Sequence, residues 1–101
     1  MKIIVLFNLK LDADIAAYQE WAKSVDIPGV NALSSVDGFS VFKSTGLLGS
    51  DSAPSYQYVE IIDVNDMEAF GAQTSTEAFQ KVAAAFGDFA DNPEFILTEA
   101  I

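Results

Sequence analysis

The stretch "YQYVEIIDV", residues 56–64, decides how this chain folds. It is rich in β-branched and aromatic residues, and strand geometry sends alternate side chains to opposite faces, so Tyr58, Glu60 and Ile62 share one face while Val59 and Ile61 share the other. Apolar residues of both parities predict a strand covered on both sides, the position of a central strand. One residue breaks the pattern. Glu60 puts a carboxylate near the middle of a strand that ought to be dry on both faces.

Residues 2–9, "KIIVLFNL", form a second run of the same kind and predict another central strand. Between them, residues 13–25 place Ile15, Tyr18, Ala22 and Val25 at helical spacing, with Trp21 beside that stripe and Asp12 or Asp14 available as N-cap. Pro28 and Gly29 are expected to break this helix, with "VNAL" adding one further turn at most. Residues 36–43, "VDGFSVFK", alternate as a strand near a sheet edge, with Val36, Gly38, Ser40 and Phe42 expected on one face and Phe39 and Val41 on the other. The Gly/Ser-rich segment 44–55 is far longer than a hairpin loop, which leaves open a lid over a pocket or a loose tip.

After the opening strand, "ND" offers an N-cap for a second helical region; the pattern restarts after Thr74 or Ser75, with Phe79, Val82, Ala83 and Phe86 at core spacing and Gly87 as a stop. Residues 94–99, "EFILTE", supply a fourth strand. The order β-α-β-β-α-β within one domain spanning 1–101 predicts an α+β, ferredoxin-like fold: an antiparallel sheet with both helices on one face. Right-handed crossovers make the first and third strands central, flanked by the fourth and second. The apolar open face then needs a cover, which a second copy of the chain would supply.

Composition narrows the chemistry. Half of the 101 residues are apolar, more than one small core hides, and a domain this size buries only about 60–68% of its unfolded surface. Histidine, cysteine and arginine are absent, which excludes thiolate or imidazole metal ligation, haem ligation through those groups and every imidazole-based triad. Proton transfer would fall to Asp, Glu, Lys, Tyr or water. No cofactor and no metal is expected, since the acidic patch of Asp88, Asp91 and Glu94 fits no calcium loop. A net charge of −10 argues against nucleic acid and anionic membranes as partners, and with no arginine clamp the expected ligand is a neutral or weakly cationic small molecule. No membrane span or signal peptide is evident, so a cytoplasmic location is expected.

Four stretches, "KIIVLFNLK", "SVDGFSVFKSTGLLG", "YQYVEIIDVNDMEAFGA" and "DNPEFILTE", resemble the RedY-like family of the dimeric α+β barrel superfamily, and the resemblance covers essentially the whole chain. It implies a homodimer in the biosynthesis of prodigiosin-type tripyrrole pigments, binding or processing a bipyrrole intermediate. The superfamily also contains cofactor-free monooxygenases and haem-degrading enzymes, the latter disfavoured here by the missing His and Arg. The residue readings remain open beside this. Glu60 is the candidate acid or base, because a desolvated carboxylate without a cation keeps its proton toward neutral pH; the alternative is a Glu60 hydrogen-bonded to a tyrosine or paired with a lysine at the rim. Asn8, Tyr18, Trp21, Phe42 and Tyr58 are candidate substrate contacts for a flat aromatic ligand, against turn capping for Asn8 and core packing for the aromatics. Three functions follow: a pigment-pathway binding protein or enzyme, a cofactor-independent monooxygenase, or a non-catalytic carrier.

Overall fold

The computed structural model describes residues Met1–Ile101. The two apolar runs become β1 (Lys2–Leu9) and β3 (Tyr58–Val64), and they pair antiparallel with Val5 opposite Glu60 and Phe7 opposite Tyr58. They are the inner strands of a four-stranded sheet in the order β2-β3-β1-β4, with β2 at Val36–Lys43 and β4 at Ala90–Leu97. This is the ferredoxin-like α+β topology that the element order predicts. Along both inner strands burial alternates strictly: Ile3, Val5, Phe7 and Leu9, like Tyr58, Glu60, Ile62 and Val64, are buried, while their neighbours are half-buried. The helices therefore cover one face only, and Ile4, Leu6, Val59 and Ile61 remain on the open one.

Three local features depart from the sequence expectations. First, a β-bulge between Val36 and Gly38 shifts the register of β2, so Val36 opposes Val64 but Gly38 opposes Asp63. The extra residue reverses facing, so Val36 and Phe39 are both buried while Phe42 lies on the open face, 51% exposed. Second, β4 begins four residues earlier than expected because α4 (Glu77–Phe89) runs past Gly87 directly into it. A second irregularity in the β1–β4 register, beside the left-handed Asn92 (φ 46°), bends this edge strand.

Third, the first helix does not stop at Pro28. It starts at α1 (Ile15–Trp21), where the Asp14 side chain accepts from the Ala17 N–H at 3.1 Å, passes through a π turn at Ala22–Asp26, and continues as α2 (Ile27–Asn31). Pro28 lacks an N–H and sits in the first turn of α2, immediately after the Ile27 N–H has closed back on the Ala22 carbonyl. Residues four apart drift by about 40° per step around a helix of 3.6 residues per turn, and a wider π turn takes up that drift. As a result Tyr18, Ala22, Asp26 and Val30 are the buried residues of this segment, and Val25, expected in the stripe, is exposed.

The second helical region is α3 (Met67–Thr74) followed by α4, each started by a side-chain cap: Asp66 accepts from the Ala69 N–H at 3.0 Å and Thr76 from the Phe79 N–H at 3.2 Å. Neither helix contains a fully buried residue. They stand off from the sheet and leave space beneath them. No helix is long and apolar enough to cross a membrane.

Candidate functional site

That space is a cavity of about 420 Å³ between the sheet and the helices. Its floor is the helix-facing side of the strands, with Ile3, Phe39, Glu60, Ile62, Phe95 and Leu97. Phe70, Thr74, Phe79, Val82, Ala83 and Phe86 of α3 and α4 form the roof, and Asp26 and Val30 close one side. Phe95 and Leu97 are 58% and 64% exposed, so the cavity opens along the β4 edge. A volume in the range of about 300–1,000 Å³ with few polar groups suits a small organic ligand.

Two of those polar groups are carboxyls. Glu60, flanked across the sheet by Val5 and Val41, is 4% exposed, and its Oε2 is buried with no hydrogen-bond partner. Removal from water raises its pKa to about 8, and the nearby Asp26 charge adds to the rise. Asp26, 6% exposed, is raised by burial to about 6. No lysine lines the cavity, so neither carboxyl meets a cation there. Both carboxyls therefore keep their protons to higher pH than exposed ones, Glu60 more so than Asp26.

The other candidates divide into two groups. Tyr18 and Tyr58 belong to an aromatic cluster beside the carboxyls: Phe7 stacks on Tyr58 at 5.4 Å between centroids and meets the edges of Tyr18 and Phe86 at 5.8 and 5.0 Å. The Tyr18 hydroxyl is buried without a partner, and burial followed by the charges of Glu60 and Asp26 pushes its pKa upward, which leaves it a protonated donor. The Tyr58 hydroxyl accepts from Gln19 Nε2 at 3.1 Å, and both tyrosines border a smaller pocket of about 190 Å³. Trp21 packs on Tyr18 and Phe89 at the outer edge of this cluster and lines neither pocket.

Asn8 and Phe42 lie elsewhere. The Asn8 side chain donates to the Ser55 carbonyl at 3.1 Å and accepts from the Gln57 N–H at 2.9 Å, pinning the long β2–β3 connection to the end of β1. Phe42 projects from the open sheet face, away from Glu60. Within the 44–55 segment Leu47 and Leu48 are exposed, and neither lines the cavity. Sequence reading missed Asp26. Its signal was present in retrospect, an acid at the four-residue spacing from Tyr18 through Ala22 to Val30, hidden because the π turn could not be seen.

Fold and site together define a ferredoxin-like α+β protein that keeps an apolar cavity with two buried carboxyl groups between its sheet and its helices. A sequence model of the family described as "REDY-like protein HapK" matches residues 1–101, and the chain belongs to that family. Among solved structures it is similar to HapK from Hahella chejuensis, with 27% identity, a TM-score of 0.73 and coverage of 100% of this chain and 95% of that one. A dimeric ferredoxin-like protein of unknown function from Thermobifida fusca shares the fold at 14% identity, TM-score 0.72, with 94% and 85% covered. So does SnoaB, a cofactor-independent oxygenase from Streptomyces nogalater, at 13% identity, TM-score 0.70, with 99% and 93% covered. Comparison with curated proteins finds no significant match.

Proposed function

We propose that this chain binds a flat, apolar pyrrolic intermediate of a prodigiosin-type pigment pathway in the cavity beneath α3 and α4, and moves a proton on it. The observation that carries this reading is the unpartnered Glu60 carboxyl on the floor of an apolar, aromatic-walled cavity. A polar group buried without a partner costs about 1–3 kcal/mol, a penalty that a ligand N–H would relieve. In the neutral pH range Asp26 is the base and Glu60 the acid, so deprotonation at one position and proton delivery at another can occur on one bound molecule.

The same reading makes the protein a homodimer. Its open sheet face carries Ile4, Leu6, Val59, Ile61 and the exposed Phe42 and Ile96, an apolar patch of the kind that marks an interface, and dimeric relatives share the fold. Titration with a synthetic 2,2′-bipyrrole, followed by the ligand's own absorbance, tests the binding. Saturation near one ligand per chain is expected, and Phe86→Ala, which removes a roof aromatic, should weaken it severalfold. An unchanged affinity in that variant would place the ligand elsewhere.

Cofactor-independent oxygenation of such a substrate is a second reading, favoured by an ionised Asp26 able to remove a proton from an electron-rich ring. Oxygen uptake during turnover, lost in Asp26→Asn, distinguishes it. A pure carrier would support pigment formation undiminished in Glu60→Gln.

A further inference from the structure

Resting on the reading that the ligand sits beneath α3 and α4, we propose that the cavity takes it as a nitrogen-bearing aromatic cation, with the Asp26–Glu60 pair as counter-ion. The cavity is electrically unbalanced. Two carboxyl groups at 6% and 4% exposure share otherwise apolar walls, and burying even one negative charge costs several kcal/mol unless something compensates it.

The protein supplies no compensation. The side chains facing Glu60 from β1 and β2 are Val5 and Val41. From α1 comes the Tyr18 hydroxyl, neutral and itself unpartnered, and from within β3 the Tyr58 hydroxyl, neutral and accepting from Gln19, neither of which carries a positive charge. The roof offers only Thr74 as a polar side chain, and β4 contributes Phe95 and Leu97. Lys23 and Lys43 border the smaller pocket on the far side of the tyrosines, not this cavity. What is missing is a positive charge, and the cavity has room for the ligand to bring it.

The ligand class follows from the walls. A metal ion is disfavoured, because no group of three or more acidic side chains comes together in the molecule. Phe39, Phe70, Phe79, Phe86 and Phe95 line the cavity, and aromatic faces attract a delocalised cation as well as an apolar ring. A protonated or iminium-type heteroaromatic satisfies both the rings and the carboxyl pair, whereas an aliphatic ammonium would leave the aromatic walls poorly filled. The hydrophobic effect alone would rank ligands the other way, since a neutral ring is cheaper to remove from water than its charged isostere.

That opposition supplies the test. The 1-methylquinolinium cation and 1-methylnaphthalene have nearly the same shape and differ in charge, and their dissociation constants for the full-length protein can be measured at pH 7.5 by displacement of a fluorescent reporter. The cation should bind at least about tenfold more tightly, a factor that one close charge pair in a partly desolvated site readily supplies. The double variant Asp26→Asn/Glu60→Gln should lose that preference and bind 1-methylnaphthalene as well as or better than the native protein. Glu20→Gln, which removes one exposed charge on α1, should keep the preference. Equal affinities in the native protein overturn the proposal while leaving the cavity as a ligand site. A preference that survives the double variant also overturns it, by assigning the effect to the overall charge of −10. Failure of both probes to bind removes the cavity reading and this proposal together. Far-UV circular dichroism of each variant confirms that the fold is retained.

Discussion

Replacing Glu60 by glutamine should stabilise this protein, and increasingly so as the pH rises. Folding raises the Glu60 pKa from 4.5 to about 8. Between those values the folded state binds a proton that the unfolded chain has released, so stability falls with pH across that window and is fully present only below it. At 1.36 kcal/mol per pH unit, ionised Glu60 costs the folded state about 5 kcal/mol once the pH is above 8. At pH 5 the cost is below about 1 kcal/mol, because the group has only begun to lose its proton in the unfolded chain. A glutamine at this position would have nearly the shape of the protonated acid and no charge to desolvate. Its advantage over the native residue should therefore grow by about 4 kcal/mol between pH 5 and pH 8.5.

Against a total stability on the order of 5–15 kcal/mol for a domain of this length, that is a large fraction. The assay is urea unfolding followed by far-UV circular dichroism at pH 5, 6, 7, 8 and 8.5, at one fixed protein concentration so that subunit association does not vary. Curves for native protein and variant that stay parallel across the series, or a variant less stable at every pH, would refute the reasoning. Either result would mean that water or an unrecognised donor already compensates Glu60.

Further substitutions probe other links. Asp26→Asn should also stabilise with rising pH, but in a lower window, from 3.8 to about 6, and by about 3 kcal/mol at most; the same urea series checks it. Phe7→Ala removes a fully buried ring that touches Tyr18, Tyr58 and Phe86 and should cost about 3–5 kcal/mol, read from the urea midpoint. Asn8→Ala breaks the two bonds that the Asn8 side chain makes to the β2–β3 connection; hydrogen exchange at the Gln57 amide should accelerate while affinity for a cavity ligand stays unchanged. Ile61→Asp puts a charge at the centre of the open sheet face; sedimentation is expected to show a dimer for the native protein and a monomer for the variant.

Much of this architecture is legible in local pattern. The dense apolar runs at 2–9 and 56–64 marked the two inner strands, alternation put Glu60 on the same face as Tyr58 and Ile62, and Asp14 and Asp66 announced the helices that they cap. Those features follow from periodicity and capping, which depend on neighbours in the chain. The register of β2 was not legible, because a bulge adds one residue without leaving a mark in composition, and it moved Phe42 to the face opposite Glu60. Nor was the role of Asn8, whose partners Ser55 and Gln57 are 47 and 49 residues away.

Strand alternation places the Glu60 carboxylate on one face of a central strand with Tyr58 and Ile62, a local consequence of backbone geometry. What surrounds that carboxylate depends on packing between segments distant in the chain. The π turn before Pro28 rotates Asp26 inward toward Glu60, and α3 and α4 stand far enough from the sheet to leave a cavity above them both. Burial then raises both carboxyl pKa values, Asp26 to about 6 and Glu60 to about 8, the latter helped by the Asp26 charge. Those shifts depend on water excluded by elements far apart in the chain, and no stretch of sequence read alone carries that information.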